Sequence, residues 1–89
     1  MYLYIVDDQD KLLGVIDIKE LLQANEKASL KDLMIEKVIS LNPESDLKTA
    51  SAMFARYGFR AIPITDENDK MLGVVTYRDV MNLKHRFIS

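Results

Sequence analysis

The chain has no cysteine, no tryptophan, one histidine, two prolines and three glycines in 89 residues. Without cysteine there is no disulfide, no thiolate metal ligand and no thiol nucleophile. A lone histidine, His85, excludes a multi-histidine metal centre. Gly14, Gly58 and Gly73 are too widely spaced to form a phosphate-cradling loop. No apolar run approaches the ~20 residues that span a bilayer, and no signal-peptide pattern is present. Net charge is −2 and the basic residues are scattered, apart from Lys84-His85-Arg86. That balance argues against a nucleic-acid groove. Serine and threonine are present, but none has a histidine in a recognisable constellation. The expectation is a soluble, non-catalytic domain without direct membrane contact, small enough that its stability margin is thin.

What the chain has is a repeat. Leu3–Gln23 and Ile62–Asn82 align without a gap at an offset of 59, with 7 of 21 pairs identical. The identities are Ile5/Ile64, Asp7/Asp66, Asp10/Asp69, Lys11/Lys70, Leu13/Leu72, Gly14/Gly73 and Val15/Val74. Two copies of one supersecondary unit usually bury their apolar faces against each other. The cleft such a pairing creates is the first place to look for function.

Tyr2–Val6 and Leu12–Ile16 are β-rich runs joined by the polar Asp7–Lys11, which reads as a hairpin. Ala61–Thr65 and Met71–Thr76, joined by Asp66–Lys70, repeat it. Continuous apolarity suggests that both faces of these strands are covered. Ile18–Ala24 is a short helix, with Asp17 and Glu20 spaced for an N-cap arrangement. Gln23–Leu30 is a polar linker. Ser29–Asp32 reads as a capping box opening one helical turn through Met34. Val38–Leu41 reads as a short strand, and Asn42-Pro43 as a turn. Asp46–Tyr57 carries Leu47, Ala50, Met53, Phe54 and Tyr57 on one stripe and reads as the best helix. Ser45 or Asp46 caps it and Gly58 stops it. Tyr77–Phe87 closes the chain as a helix. Met34, Met53, Met71 and Met81 fall on apolar faces as core fill.

The expected fold class is α/β (α+β). A complete β-α-β-β-α unit occupies residues 29–89, and a β-β-α first unit with linker occupies 1–28, packed about a pseudo-twofold axis. By the offset, the first unit's missing strand and helix would precede residue 1. An uncovered strand edge invites pairing, so self-association to a homodimer is expected.

Thr76-Tyr77-Arg78-Asp79 stands where the last strand meets the last helix. A hydroxyl and a carboxylate three residues apart read as a capping box. The same geometry suits a ligand. Free N–H groups and the dipole end favour phosphate, and the carboxylate can accept the hydroxyls of a ribose. The two roles are compatible. The equivalents Asp17 and Glu20 replace the hydroxyl by a carboxylate, which repels phosphate. Pro63 removes a ladder donor, so its strand reads as an edge facing a gap. Backbone near Ala61 is then open to a flat base, and Arg60 is the nearest phosphate partner. The acidic turns (Asp7, Asp8, Asp10; Asp66, Glu67, Asp69) lack the glycine and distal glutamate of a calcium loop. They read as solvated hairpin turns, and no residue is assigned as a metal ligand.

The duplicated apolar–Asp–turn–Leu-Gly-Val–Thr-x-x-Asp pattern resembles the CBS domain, the module that pairs into a Bateman unit. The match takes in Asp32–Met34, Val38–Leu41, Tyr57-Gly58, Ala61–Ile64, Leu72–Val75 and Thr76–Asp79. The resemblance implies a regulatory module that binds adenosine nucleotides between its repeats and relays this to an attached protein. Carried over, Thr76 and Asp79 hold the ribose, and backbone near Ile39, Ala61 and Pro63 frames the adenine. The first unit (Tyr4–Asp7, Leu13–Ile16, Glu20–Leu22) looks most like the cytosolic segment of MgtE-type magnesium transporters. That likeness implies a parent transporter, a cytoplasmic location, dimerisation and Mg²⁺ sensing through acidic faces. Arg78 and Lys84-His85-Arg86 depart from that family's acidic tendency at these positions.

Overall fold

The structure, a computed structural model, describes residues 1–88, with side chains through residue 83. The side chains of Lys84, His85 and Arg86 lie outside the described residues. Contacts divide the chain into two compact units, Met1–Val38 and Ile39–Ser89.

The first unit contains β1 (Tyr2–Val6), β2 (Leu12–Asp17), α1 (Ile18–Gln23) and α2 (Leu30–Leu33). The hairpin is made by its turn. Asp7 Oδ1 accepts the amides of Gln9 at 2.8 Å and Lys11 at 2.9 Å. Asp10 takes φ 64°, a left-handed conformation that Asp tolerates better than most residues. β1 and β2 then pair antiparallel, from Tyr2↔Asp17 to Ile5↔Gly14, with an irregularity before Val6↔Leu12. Ile16 is fully buried. Asp17 caps α1 by accepting the Lys19 amide at 3.0 Å. Glu20 takes no part, so the expected Asp17/Glu20 arrangement reduces to a single local cap. The Ser29 capping box is present in both directions, at 3.2 and 3.4 Å. It sets the direction of the segment that follows. Val15 and Ile35 exchange two backbone hydrogen bonds of 3.0 and 2.8 Å, which docks Ile35 on the outer edge of β2. Thus Ser29–Val38, which the repeat assigns to the second unit, packs with the first hairpin.

The second unit contains α3 (Leu47–Tyr57), β3 (Ala61–Thr65), β4 (Met71–Thr76) and α4 (Tyr77–Ile88). Asp46 caps α3 through the Thr49 amide at 2.8 Å, and Gly58 ends it at φ 67°. That positive φ is why glycine stands there. The core is Leu41, Ala50, Phe54, Ile62 and Val80, with Leu47, Met53, Phe59, Ile64, Val75 and Met81 packed around it. Tyr57, expected on the buried stripe, is exposed and stacks on Phe59 at 5.4 Å.

Two expectations are corrected. The strand over Val38–Leu41 is only a single bridge at Leu41, parallel to β3. Leu41 donates to the Pro63 carbonyl at 2.9 Å and accepts from Thr65 at 2.8 Å. The next bond of a parallel ladder would join the Ile39 carbonyl to the amide of residue 63. Proline has no such donor, and the ladder stops. The strand faces are also not fully covered. Leu13, Leu72 and Val74 are 39%, 52% and 40% exposed.

Candidate functional site at the β4–α4 junction

All six residues singled out for ligand binding fall within Ile39–Ser89. The order of bonds along β3 decides what is free. Tyr77 donates to the Arg60 carbonyl at 2.8 Å. By antiparallel alternation, residues 60, 62 and 64 bond to β4, while Ala61, Pro63 and Thr65 turn their backbone outward. Thr65 and Pro63 are met by Leu41. Beyond them the Ile39 segment diverges, pinned only by the Thr65 hydroxyl donating to Ser40 Oγ at 3.1 Å. Among the described residues, the outward groups of Ala61 and the Ile39 carbonyl find no backbone partner. An outward backbone strip therefore runs along half-buried Ile39 and Ala61 and buried Pro63, with the Ala61 groups and the Ile39 carbonyl left unmet. Such groups are costly unless water or a ligand meets them.

Ala61 pairs directly with Thr76. Thr76 Oγ1 accepts the Asp79 amide at 3.1 Å, and Asp79 Oδ2 accepts the Thr76 amide at 3.4 Å. This is a reciprocal capping box. Asp79 itself is exposed, leaving carboxylate lone pairs open to solvent. Arg60 and Thr76 line an open cleft of about 650 Å³ with Phe54, Gly58, Phe59, Tyr77 and Arg78. Asp79, Ala61, Pro63 and Ile39 are not among its lining residues. Ile39, Ala61 and Pro63 thus lie on a backbone strip at the β3 edge, Arg60 and Thr76 line the cleft at the α4 N-terminus, and Asp79 joins the site only through its cap with Thr76. Phe59, Tyr77 and Arg78 are lining residues that the sequence reading did not single out for binding. Their signal was adjacency to Arg60 and Thr76. Tyr77 sits edge-on to Phe54 with centroids 6.0 Å apart, which fixes that wall of the cleft.

A second hollow, of about 820 Å³, is lined in part by Ser40, Glu44, Asp66, Glu67 and Asp69. Its acidic character invites a cation reading. Asp66 Oδ1, however, already accepts the amides of Asn68 and Lys70. Among the described residues, no three His, Cys, Asp or Glu side chains are grouped to hold a metal ion.

The chain matches the CBS domain over residues 30–86. It belongs to the CBS domain family. Over 92% of its length it is 33% identical to the magnesium transporter MgtE of Enterococcus faecalis and 29% identical to that of Thermus thermophilus. It spans about 18% of the length of each. Among solved structures, the soluble part of a magnesium transporter superposes with TM-score 0.90 at 31% identity, over 99% of this chain and 34% of that one. The cytosolic domain of the Mg²⁺ channel MgtE in complex with ATP gives TM-score 0.86 at 29% identity, over 92% and 33%. The chain is also 28% identical, over 90% of its length, to an inosine-5′-monophosphate dehydrogenase of Nitrosopumilus maritimus, of which it spans 17%. No helix among the described residues is long and apolar enough to cross a membrane.

Proposed function

We propose that this CBS module is a non-catalytic regulatory element that binds an adenosine nucleotide within residues 39–89. The observation that carries the reading is one adjacency. The unmet backbone groups of Ile39 and Ala61, beside Pro63, run into the Thr76/Asp79 cap through the Ala61–Thr76 pair. An adenine edge alternates donors and acceptors, as does an open strand edge. Asp79 would accept ribose hydroxyls, with Thr76 beside it, and Arg60 would face the phosphates. The similarity to an ATP-bound cytosolic domain supports this choice of ligand.

The similarity to MgtE proteins supports a wider role as the cytoplasmic sensor of a magnesium or other divalent-cation transporter, acting as a homodimer. The sequence repeat supports repeat units over 1–28 and 29–89. The acidic hollow gives Mg²⁺ as the competing ligand. Calorimetry with ATP, ADP, AMP and S-adenosylmethionine tests the nucleotide reading, and MgCl₂ titration tests the other. A heat signal for a nucleotide that disappears in Asp79→Ala is the expected outcome.

A second reading is a ligand-free structural dimerisation module. Thr76 and Asp79 already satisfy each other, so a cap alone explains their pairing. Thr76→Ala costing about 1 kcal/mol with no change in any binding isotherm favours it.

A further inference from the structure

The cleft between the end of α3 and the start of α4 differs in chemistry from the backbone strip beside it. It measures about 650 Å³, and Ile39, Ala61 and Pro63 do not line it. Its aromatic lining grades from core to solvent: Phe54 is buried, Phe59 half-buried and Tyr77 49% exposed. Phe59 stacks on Tyr57 with centroids 5.4 Å apart and planes 13° apart, and the Arg56 guanidinium lies 5.4 Å from the centre of the Tyr57 ring. Arg60 and Arg78 are exposed and line the cleft itself, and no carboxylate does. This surface therefore holds three of the chain's four arginines, while none of its eight lysines lines the cleft.

Aromatic side chains together with arginine, and a shortage of lysine, mark the energetic centres of protein interfaces. A guanidinium fork meets a carboxylate through two parallel hydrogen bonds, which an ammonium cannot do. We propose that this cleft docks an acidic segment of a protein partner, with an apolar side chain against Phe59 and Tyr77 and carboxylates on Arg60 and Arg78. Charge complementarity selects that occupant. A second copy of the chain would offer its acidic turns, Asp7–Lys11 and Asp66–Lys70, but each lacks an apolar side chain and ends in lysine. A nucleic acid calls for basic groups spaced along its backbone, whereas the arginines here gather at one helix junction. The inference does not rest on the nucleotide reading. Arg60 and Thr76 enter both, so the test uses Arg78, which that reading leaves unassigned.

Fluorescence anisotropy at low salt tests the proposal with a labelled Glu-Glu-Leu-Phe-Glu-Glu peptide. Its counterparts carry lysine for glutamate or alanine for leucine and phenylalanine, and a uridine oligonucleotide of equal length serves as the nucleic-acid probe. The acidic apolar peptide binds saturably and more tightly than all three. Arg78→Glu weakens it by at least about tenfold, Arg78→Lys weakens it less, and Lys31→Glu, the same charge change in the first unit, leaves it unaltered, with folding of each variant verified by circular dichroism. No saturable binding of the acidic peptide, an equal loss from Lys31→Glu, or tighter binding of the oligonucleotide overturns the proposal. Sedimentation showing a self-associated species that Arg78→Glu dissociates assigns the cleft to a second copy and overturns it too.

Discussion

The two hairpins are one design with two sets of neighbours. Shifted by 59, each strand partner in the first has its counterpart in the second, from Tyr2↔Asp17 and Ala61↔Thr76 to Val6↔Leu12 and Thr65↔Met71. Both skip a residue at the same place. Both turns place an aspartate at φ near 64°, at Asp10 and Asp69. In both, the first aspartate of the turn collects two amides. Register is thus set locally, by turn chemistry carried in the identical residues. What surrounds the strands differs. The first hairpin is closed on its β2 side by Ile35, the second on its β3 side by Leu41. The helix after the first is capped by Asp17 alone, the helix after the second by a reciprocal Thr76/Asp79 pair. A repeated frame preserves geometry while its edges and caps are free to specialise, and the proposed nucleotide site falls at the specialised cap.

The largest expected effect separates the two units by core. Phe54 is buried among Leu41, Ala50, Ile62 and Val80, and Phe54→Ala should cost ~3–5 kcal/mol in urea unfolding. Ile16 is the one fully buried apolar side chain of the first unit. Ile16→Ala should cost ~2–3 kcal/mol, and a larger loss there than at Phe54 reverses the ranking of the two cores. Next comes the glycine pair. Gly14→Ala drives a Cβ into the Ile35 carbonyl oxygen and should cost ~1–3 kcal/mol. Gly73→Ala, whose Cβ would meet nothing within 4 Å, should stay within ~0.5 kcal/mol of wild type. Equal losses would mean that the β2 edge is not held by Ile35.

Thr76→Ala and Asp17→Ala should each cost about 1 kcal/mol of stability by thermal unfolding, but only Thr76→Ala should also weaken nucleotide binding. The smallest effect is in acid. Hydrogen bonds from Thr49, side chain first and then backbone, hold the Asp46 carboxyl below its ordinary value. A depressed folded value stabilises above the unfolded pKa, near ~4. That contribution fades as pH falls through the folded value. Asp46→Asn should therefore flatten stability against pH below ~4 in acid titration, while leaving stability at pH 7 nearly unchanged.

Sequence alone located both hairpins, α3 with its Gly58 stop and a cap at Ser45 or Asp46 (the structure uses Asp46), and the Ser29 box, because each is set by residues within a few positions of one another. The extent of the Leu41 pairing was not legible as a strand length. It depends on Pro63, 22 positions away, falling where the ladder needs a donor. The exposure of Tyr57 was also hidden, since a helical stripe cannot show that Phe59 stacks on its outer member. At the site, Thr76, Asp79 and Ala61 were legible as neighbours through hairpin register. The lining role of Phe59 and Tyr77 was not, because it depends on where the C-terminus of α3 meets the N-terminus of α4.

Nucleotide recognition by the Thr76/Asp79 cap is tested most directly by titrating ATP into the chain and its Asp79→Ala variant, with folding of both verified by circular dichroism. Saturable heat in the first and none in the second, at comparable helicity, is the expected result. Silence from the unaltered chain at millimolar ATP, ADP, AMP and S-adenosylmethionine, or equal binding by both proteins, contradicts it.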